Sequence, residues 1–198
     1  MTAQPGPDQP IAGVFRWNVY SPEHKVDLTA LVVESPAGWV IFDPIPPVLT
    51  DWEAQFPRQR PTALVVTNAN HARAGAEARA RWSCPIYGPA ELGDELPLTR
   101  TVVPPECPLP GWETFSLIGG APGETAWILP ARSLVIFGDA VVNLPTRGLE
   151  LLPDKYCTDP AQLRTQLRLL LARDFARALF AHGTPLVTDA TARLRALL

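Results

Sequence analysis

The nine residues from Thr67 to Gly75, TNANHARAG, concentrate more reactive side chains than any other stretch of the chain. They include the amides of Asn68 and Asn70, the imidazole of His71 and the guanidinium of Arg73. The stretch follows the apolar run ALVV and leads into the helix-like run AGAEARARW. A polar turn between a strand and a helix is where α/β proteins usually place catalytic or ligand-binding groups. We therefore predict a functional loop at this position.

Two more groups with reactive side chains end apolar runs later in the chain. Asp139 lies in FGDAV and His182 lies in AHGTP. A histidine and a carboxylate in one cleft can act as a general base or contact a substrate, and two histidines with one carboxylate can bind a metal ion. For His71 the alternative, which we favour, is a loop histidine bonded to the backbone. His24, in SPEHK, has the sequence surroundings of an exposed turn.

Hydrophobic periodicity predicts one α/β domain. Helices are expected at about 47–56, from Ala74, from Pro160 and at 186–198, and the chain is expected to become helical after Asp139. Asp159 followed by Pro160 is a strong helix start, with an N-cap and a proline at the first helical position. Strands are expected at 11–20, 27–34, 38–43, 63–66, 84–88, 99–103, 111–118, 124–130, 133–139 and 176–180, with a hairpin between 124–130 and 133–139.

The composition of the 198 residues fits a single globular domain. A formal charge of −3 without long charged blocks gives no reason to expect binding to nucleic acid or to anionic membranes. Three scattered cysteines form neither a zinc ribbon nor a disulfide framework, so a reduced, cytoplasmic protein is expected. Residues 1–10 are predicted to be a flexible lead, and residues 11–198 the domain.

Five ordered landmarks resemble the metallo-β-lactamase superfamily. They are VIFDP, which ends near Asp43, the TNANHARAG loop, IGGAPGET with Gly120, FGDAV with Asp139, and AHGTP with His182. The loop matches the spacing of the superfamily signature Thr-His-x-His-x-Asp-His-x-Gly. The resemblance implies the four-layer αββα sandwich of that superfamily.

The resemblance also implies seven ligand positions for two metal ions, and five of them hold other residues here. They are occupied by Asn68, Asn70, Ala72, Arg73 and Gly120, so that Asp139 and His182 alone match ligands. An amide oxygen is a poor zinc donor, and alanine and glycine supply no donor. Arginine brings a permanent positive charge to the place of a cation. No metal or other cofactor is therefore expected, with a single weakly held metal as the alternative.

The replacements lead to a hypothesis about the cleft. We expect Arg73 to form an ion pair with Asp139 in place of the metal, because an unpaired buried carboxylate is costly. Asn68 and Asn70 are expected to complete the hydrogen-bond network. A metal set of His71, Asp139 and His182 is not expected, because the His71 side chain should point away from the other two.

Two functions remain open. The first is a pseudoenzyme that has lost the metal chemistry of the superfamily and acts as a binding or structural protein. The alternative is an active hydrolase of an ester, thioester or lactone, which uses a metal-free or single-metal site formed from Asn68, Asn70, His71, Arg73, Asp139 and His182. The partner is an unknown small molecule, and a homodimer is allowed for only because dimers are common.

Overall fold

Short apolar segments pair into two main β-sheets in the computed structural model, which describes residues 6–198. In the first sheet the strands follow their sequence order. They are β1 (Asp8–Ile11), β2 (Val14–Ser21), β3 (Val26–Ser35), β4 (Gly38–Phe42), β5 (Ala63–Val65), β6 (Ile86–Gly88) and β7 (Arg100–Thr101). Strands β1 to β4 are antiparallel neighbours, whereas β4 to β7 run parallel.

The second sheet contains the later strands in the order β13-β10-β9-β8. Its strands are β8 (Glu113–Ser116), β9 (Thr125–Leu129), β10 (Leu134–Phe137) and β13 (Arg177–Phe180). Strands β9 and β10 form the predicted hairpin, and β10 runs parallel to β13. A separate hairpin is formed by β11 (Val141–Leu144) and β12 (Gly148–Leu151).

Helices cover the outer face of each sheet. Helices α1 (Pro46–Gln55) and α2 (Gly75–Trp82) pack on the first sheet, and α3 (Pro160–Leu170) and α4 (Ala190–Arg195) pack on the second. The inner faces meet in a third apolar cluster, in which Phe42 of the first sheet packs edge-on against Trp127 of the second at a centroid distance of 5.8 Å. The predicted four-layer αββα sandwich is confirmed.

Parallel strands bring four chemically important loops to one edge of the sandwich. Parallel pairing of β4 with β5 places the residues after Phe42 and after Val65 side by side. Parallel pairing of β10 with β13 does the same for the residues after Phe137 and after Phe180. The carboxyl ends of parallel strands are where α/β folds usually bind ligands. The edge therefore collects the loops that carry Asp43, His71, Asp139 and His182.

Three predictions about element boundaries were wrong. The predicted flexible lead includes residues 8–10, but these belong to β1, and Asp8 is paired with Arg16 of β2 at 2.6 Å. Residues 1–5 lie outside the described residues. The chain is not helical directly after Asp139, because the β11–β12 hairpin comes first. The last helix occupies residues 190–195 only, since Leu186 instead forms a β-bridge with Ala178.

The predicted start of α3 is confirmed. The Asp159 carboxylate accepts hydrogen bonds from the backbone N–H groups of Ala161 and Gln162, both at 3.0 Å, and Pro160 is the first helical residue. In α3, the leucines Leu163, Leu167 and Leu170 are buried against the second sheet. Within residues 6–198, none of the helices has the length and apolar character needed to cross a membrane.

We expect Asp159→Ala to lower the free energy of unfolding by about 1 kcal/mol, because two N–H groups of the first turn lose their acceptor. Urea denaturation monitored by circular dichroism measures the change. Leu169→Ala is the control on the same helix, since Leu169 is exposed and its truncation should change stability by less than about 0.5 kcal/mol. Equal losses in the two variants would contradict the capping role.

Candidate functional site

Asp43 forms the base of the candidate site. It follows β4 with a φ of 48°, in the left-handed region, which few residues other than glycine adopt. The buried carboxylate accepts hydrogen bonds from the Thr67 backbone N–H at 2.9 Å and from the Thr67 hydroxyl at 2.7 Å. It is also 2.9 Å from Nδ1 of His71. Asp43 therefore joins the end of β4 to the loop after β5.

His71 lies between two carboxylates. Its Nδ1 faces Asp43, and its Nε2 is 3.2 Å from Oδ1 of Asp139. Burial and the neighbouring Arg73 disfavour a charged ring, but Asp139 and Asp43 outweigh them and raise the pKa of His71 to about 9. The ring thus bridges the first sheet to the second as an imidazolium at neutral pH. The expectation that His71 points away from Asp139 and His182 was wrong.

Asp139 and His182 complete the contact between the sheets. Nε2 of His182 is also 3.2 Å from Oδ1 of Asp139, while its Nδ1 donates to the backbone carbonyl of Asp27 at 2.9 Å. Burial alone would raise the pKa of Asp139, but His71 and His182 hold it well below its usual range. His71, Asp139 and His182 form a cluster whose possible ligand atoms lie within 4.8 Å of one another.

Arg73 enters the site without meeting Asp139. Its Nη1 donates to the carbonyl oxygens of Thr29 at 2.9 Å and Asp43 at 3.4 Å, and its Nη2 is 3.4 Å from Nε2 of His182. The Arg73–Asp139 ion pair that we expected is not among the ion pairs of residues 6–198. Asp139 is instead paired with the two histidines, which are closer to it. The φ of 40° at Arg73 is a second left-handed backbone conformation at this site.

Glu124 is a site residue that the sequence analysis missed. Its carboxyl group, which is 2% exposed, accepts hydrogen bonds from Asn68 Nδ2 and from the N–H groups of Asp139 and Ala140. Burial and the charge of Asp139 raise its pKa to about 8, against the effect of these donors. An acidic residue directly before β9, whose sequence TAWIL is apolar after its first residue, is the signal that could have identified it.

The two asparagines of the loop have different environments. Asn68 is buried, and its amide donates to Glu124 at 2.8 Å and to Asp139 at 3.1 Å. Its oxygen accepts the backbone N–H of Asn70 and so caps the short 3-10 turn Ala69–His71. The side chain of Asn70 is exposed and has no contact with the cluster among those described. The network therefore includes Asn68 and leaves out the side chain of Asn70.

The fold and the site together define a class of protein: an αββα sandwich with histidines and carboxylates at the carboxyl ends of its parallel strands. A family model described as metallo-beta-lactamase superfamily matches residues 9–198. The chain belongs to the metallo-β-lactamase superfamily. No curated protein matches it.

Solved structures agree with the fold assignment. The DIM-1 metallo-β-lactamase exposed to ceftazidime superposes with a TM-score of 0.76 at 17% identity, over 98% of this chain and 96% of that chain. The mono-zinc form of FIM-1 from Pseudomonas aeruginosa gives 0.71 at 16% identity, over 97% of each chain. The di-iron-bound form of TTHA1623 gives 0.60 at 23% identity, over 85% of this chain and 93% of that chain. At these identities the likeness shows the fold alone.

The position of His71 between two carboxylates predicts an unusual titration. In metal-free buffer we expect its ring to titrate near the pKa of about 9, and at lower pH in Asp43→Asn, which removes one carboxylate charge. Proton NMR of the ring resonances measures both values. The exposed His24, which has no contact with Asp43 among those described, provides the reference resonances. An unchanged His71 titration in Asp43→Asn would contradict the bridging geometry.

Stability should fall in alkaline solution. The pKa of His71 rises from 6.5 to about 9 on folding, so its stabilising contribution is complete below the lower value and is lost as pH rises through the higher one. The raised pKa of Glu124, about 8, acts in the same direction. We expect the free energy of unfolding to decrease by a few kcal/mol from about pH 6 to about pH 10. Urea denaturation across this range measures it. Glu124→Gln should retain only the His71 part, and a flat profile in wild type would contradict the expectation.

Proposed function

We propose that this protein has lost the two-metal hydrolysis of the superfamily and acts as a binding protein for a small molecule. The observation that carries the proposal is the guanidinium of Arg73, which lies 3.4 Å from Nε2 of His182. A permanent cation next to a matched ligand position opposes the binding of two divalent ions. The neighbouring positions supply no replacement donors, because they hold Asn68, the exposed Asn70, Ala72 and Gly120. This donor set does not fit a dinuclear centre.

The charges in and around the cluster support the same proposal. The carboxylates of Asp43 and Asp139 are balanced by the imidazolium of His71 and the guanidinium of Arg73, while the raised pKa of Glu124 favours its neutral form at neutral pH. Buried charges are tolerated when they are paired and hydrogen-bonded. The cluster thus needs no pair of metal ions to stabilise its carboxylates.

Limited access to solvent is a further support. The side chain of His71 is 3% exposed, and those of His182 and Asp139 are 10% and 14% exposed. Two surface cavities of about 360 and 720 Å³ lie elsewhere, and none of the cluster residues lines either of them.

The mono-zinc, di-iron and ceftazidime descriptions apply to FIM-1, TTHA1623 and DIM-1 themselves. The same metal chemistry in this chain would require metal ligands at all seven positions of the superfamily's two-metal centre. Five of these positions hold other residues here.

A second candidate is an active hydrolase of an ester, thioester or lactone with an altered site. The observation that favours it is the convergence of His71, Asp139 and His182, two of which reach solvent. Paired histidines and a carboxylate at a solvent-accessible edge can act as general acid and base. A cytoplasmic location and a homodimer remain predictions under either function.

A substrate panel separates the two functions. Wild type, Arg73→Ala and Asp139→Ala would be assayed with β-lactam, ester, thioester and lactone substrates, with and without added zinc, iron(II) or manganese. We expect equal background rates in all three proteins, because the cluster lacks the ligands for two-metal hydrolysis. DIM-1, assayed in parallel, shows that the β-lactam assay detects metal-dependent turnover.

The opposite result would decide for the second candidate. A wild-type rate at least about tenfold above that of Asp139→Ala, corresponding to about 1.4 kcal/mol of transition-state stabilisation, would reject the binding-protein proposal. Circular dichroism and thermal melting of each variant confirm that the compared proteins are folded.

A further inference from the structure

We propose that His71, Asp139 and His182 form a binding site for a single divalent transition-metal ion. The site differs from the two-metal centre that the resemblance implies. One of its ligands is His71, and the superfamily signature has no metal ligand at that position. The inference goes beyond the proposed function, since an ion can be bound there whether or not the protein hydrolyses a substrate.

The first argument is the convergence of three donor atoms. Nε2 of His71 and Nε2 of His182 are each 3.2 Å from the same oxygen, Oδ1 of Asp139. Donors bound to one ion at about 2.0–2.2 Å lie roughly 3 to 3.5 Å from their neighbours in the coordination sphere. The two rings lie edge-on to each other, with centroids 5.5 Å apart and an interplanar angle of 62°. The two nitrogen–oxygen spacings match donors that surround one ion, and the possible ligand atoms of all three residues lie within 4.8 Å of one another.

The second argument concerns the nitrogens on the far side of each ring. Nδ1 of His71 contacts the Asp43 carboxylate, and Nδ1 of His182 donates to the carbonyl oxygen of Asp27, both at 2.9 Å. Metal-binding histidines usually donate their second ring nitrogen to a carboxylate or a backbone carbonyl, which directs the other nitrogen to the metal. Both partners are present, and neither is one of the three proposed metal ligands. The rings are therefore held in the orientation that a metal ion requires.

The donor types and the nearby charge define the class of ion and the strength of binding. Two imidazoles with one carboxylate suit iron(II), manganese(II), cobalt(II) or zinc, and three protein donors leave coordination positions free. Arg73 opposes the ion, because its Nη2 lies 3.4 Å from Nε2 of His182. The imidazolium of His71 must also release the proton on Nε2 before that nitrogen can bind an ion. The geometry thus points to one exchangeable ion, bound more weakly than in a site without the guanidinium.

The test is metal binding by the full-length protein after removal of any affinity tag, because a polyhistidine tag would itself bind ions. The protein is first treated with a chelator and dialysed. Cobalt(II) is then titrated while its visible absorption is recorded, and equilibrium dialysis with metal analysis is carried out for zinc, iron(II) and manganese(II). We expect one ion per chain for at least one metal and, for cobalt, absorption bands typical of nitrogen and oxygen ligands.

Single substitutions assign the site. His71→Gln should abolish the binding, whereas His24→Gln, which changes the exposed turn histidine, should leave it unchanged. Arg73→Gln should strengthen the binding by at least about tenfold, because it removes a nearby positive charge. Thermal melting of the metal-free proteins checks that the variants are folded. The wild-type titration does not depend on any variant.

Two outcomes would overturn the proposal. The first is the failure of wild type to bind any of the four ions at millimolar concentration. The second is binding by folded His71→Gln with wild-type affinity, which would place the ion elsewhere. Neither outcome bears on the substrate panel, so the metal site and the proposed function can fail separately.

Discussion

The imidazole of His71, held between Asp43 and Asp139, is the contact on which the rest of the site depends. Asp43 follows β4 of the first sheet and Asp139 follows β10 of the second, so the ring connects the two layers at their polar edge. Elsewhere the sheets meet through apolar packing of Phe42, Trp127 and their neighbours. Two carboxylates brought this close need a positive group between them, because burial makes unpaired charge costly. His71 supplies that group and fixes the separation of the loops.

Arg73 and Glu124 adapt the surroundings to this arrangement. The guanidinium of Arg73 binds the backbone carbonyls of Thr29 and Asp43, and thereby ties β3 to the end of β4. On the other side, Glu124 accepts the N–H groups of Asp139 and Ala140 and positions the loop after β10. Gly138 is required in that loop, since a Cβ atom there would lie 2.6 Å from the Thr67 hydroxyl and 2.8 Å from Glu124. The cluster is thus a closely packed network of charges and hydrogen bonds rather than an open cleft.

Most of the fold could be predicted from the sequence, because its signals are local. The apolar runs gave β3, β4, β9 and β10 with boundaries within one or two residues, and Asp159-Pro160 located the start of α3. The errors fell where tertiary pairing overrides local pattern. The segment 141–151 pairs with itself as a hairpin and contacts Gly183, so it is not helical. Residues 8–11 become ordered by pairing with β2.

The sequence by itself, through its resemblance to the superfamily, determined the αββα architecture. It also predicted the loop of Thr67 to Gly75 as a candidate site in which residues other than the signature's ligands occupy the matched positions. Side-chain directions in that loop were decided by the tertiary structure. The 3-10 turn capped by Asn68 directs His71 inward, and Asn70 is left exposed. The partners of Arg73 were decided in the same way, since its ion pair with Asp139 was plausible from charge alone. The physical reason is that a hydrogen bond is made or lost when the donor–acceptor distance changes by a few tenths of an ångström. The distances between loops far apart in sequence are set by the packing of the sheets, which residue spacing along the chain does not encode.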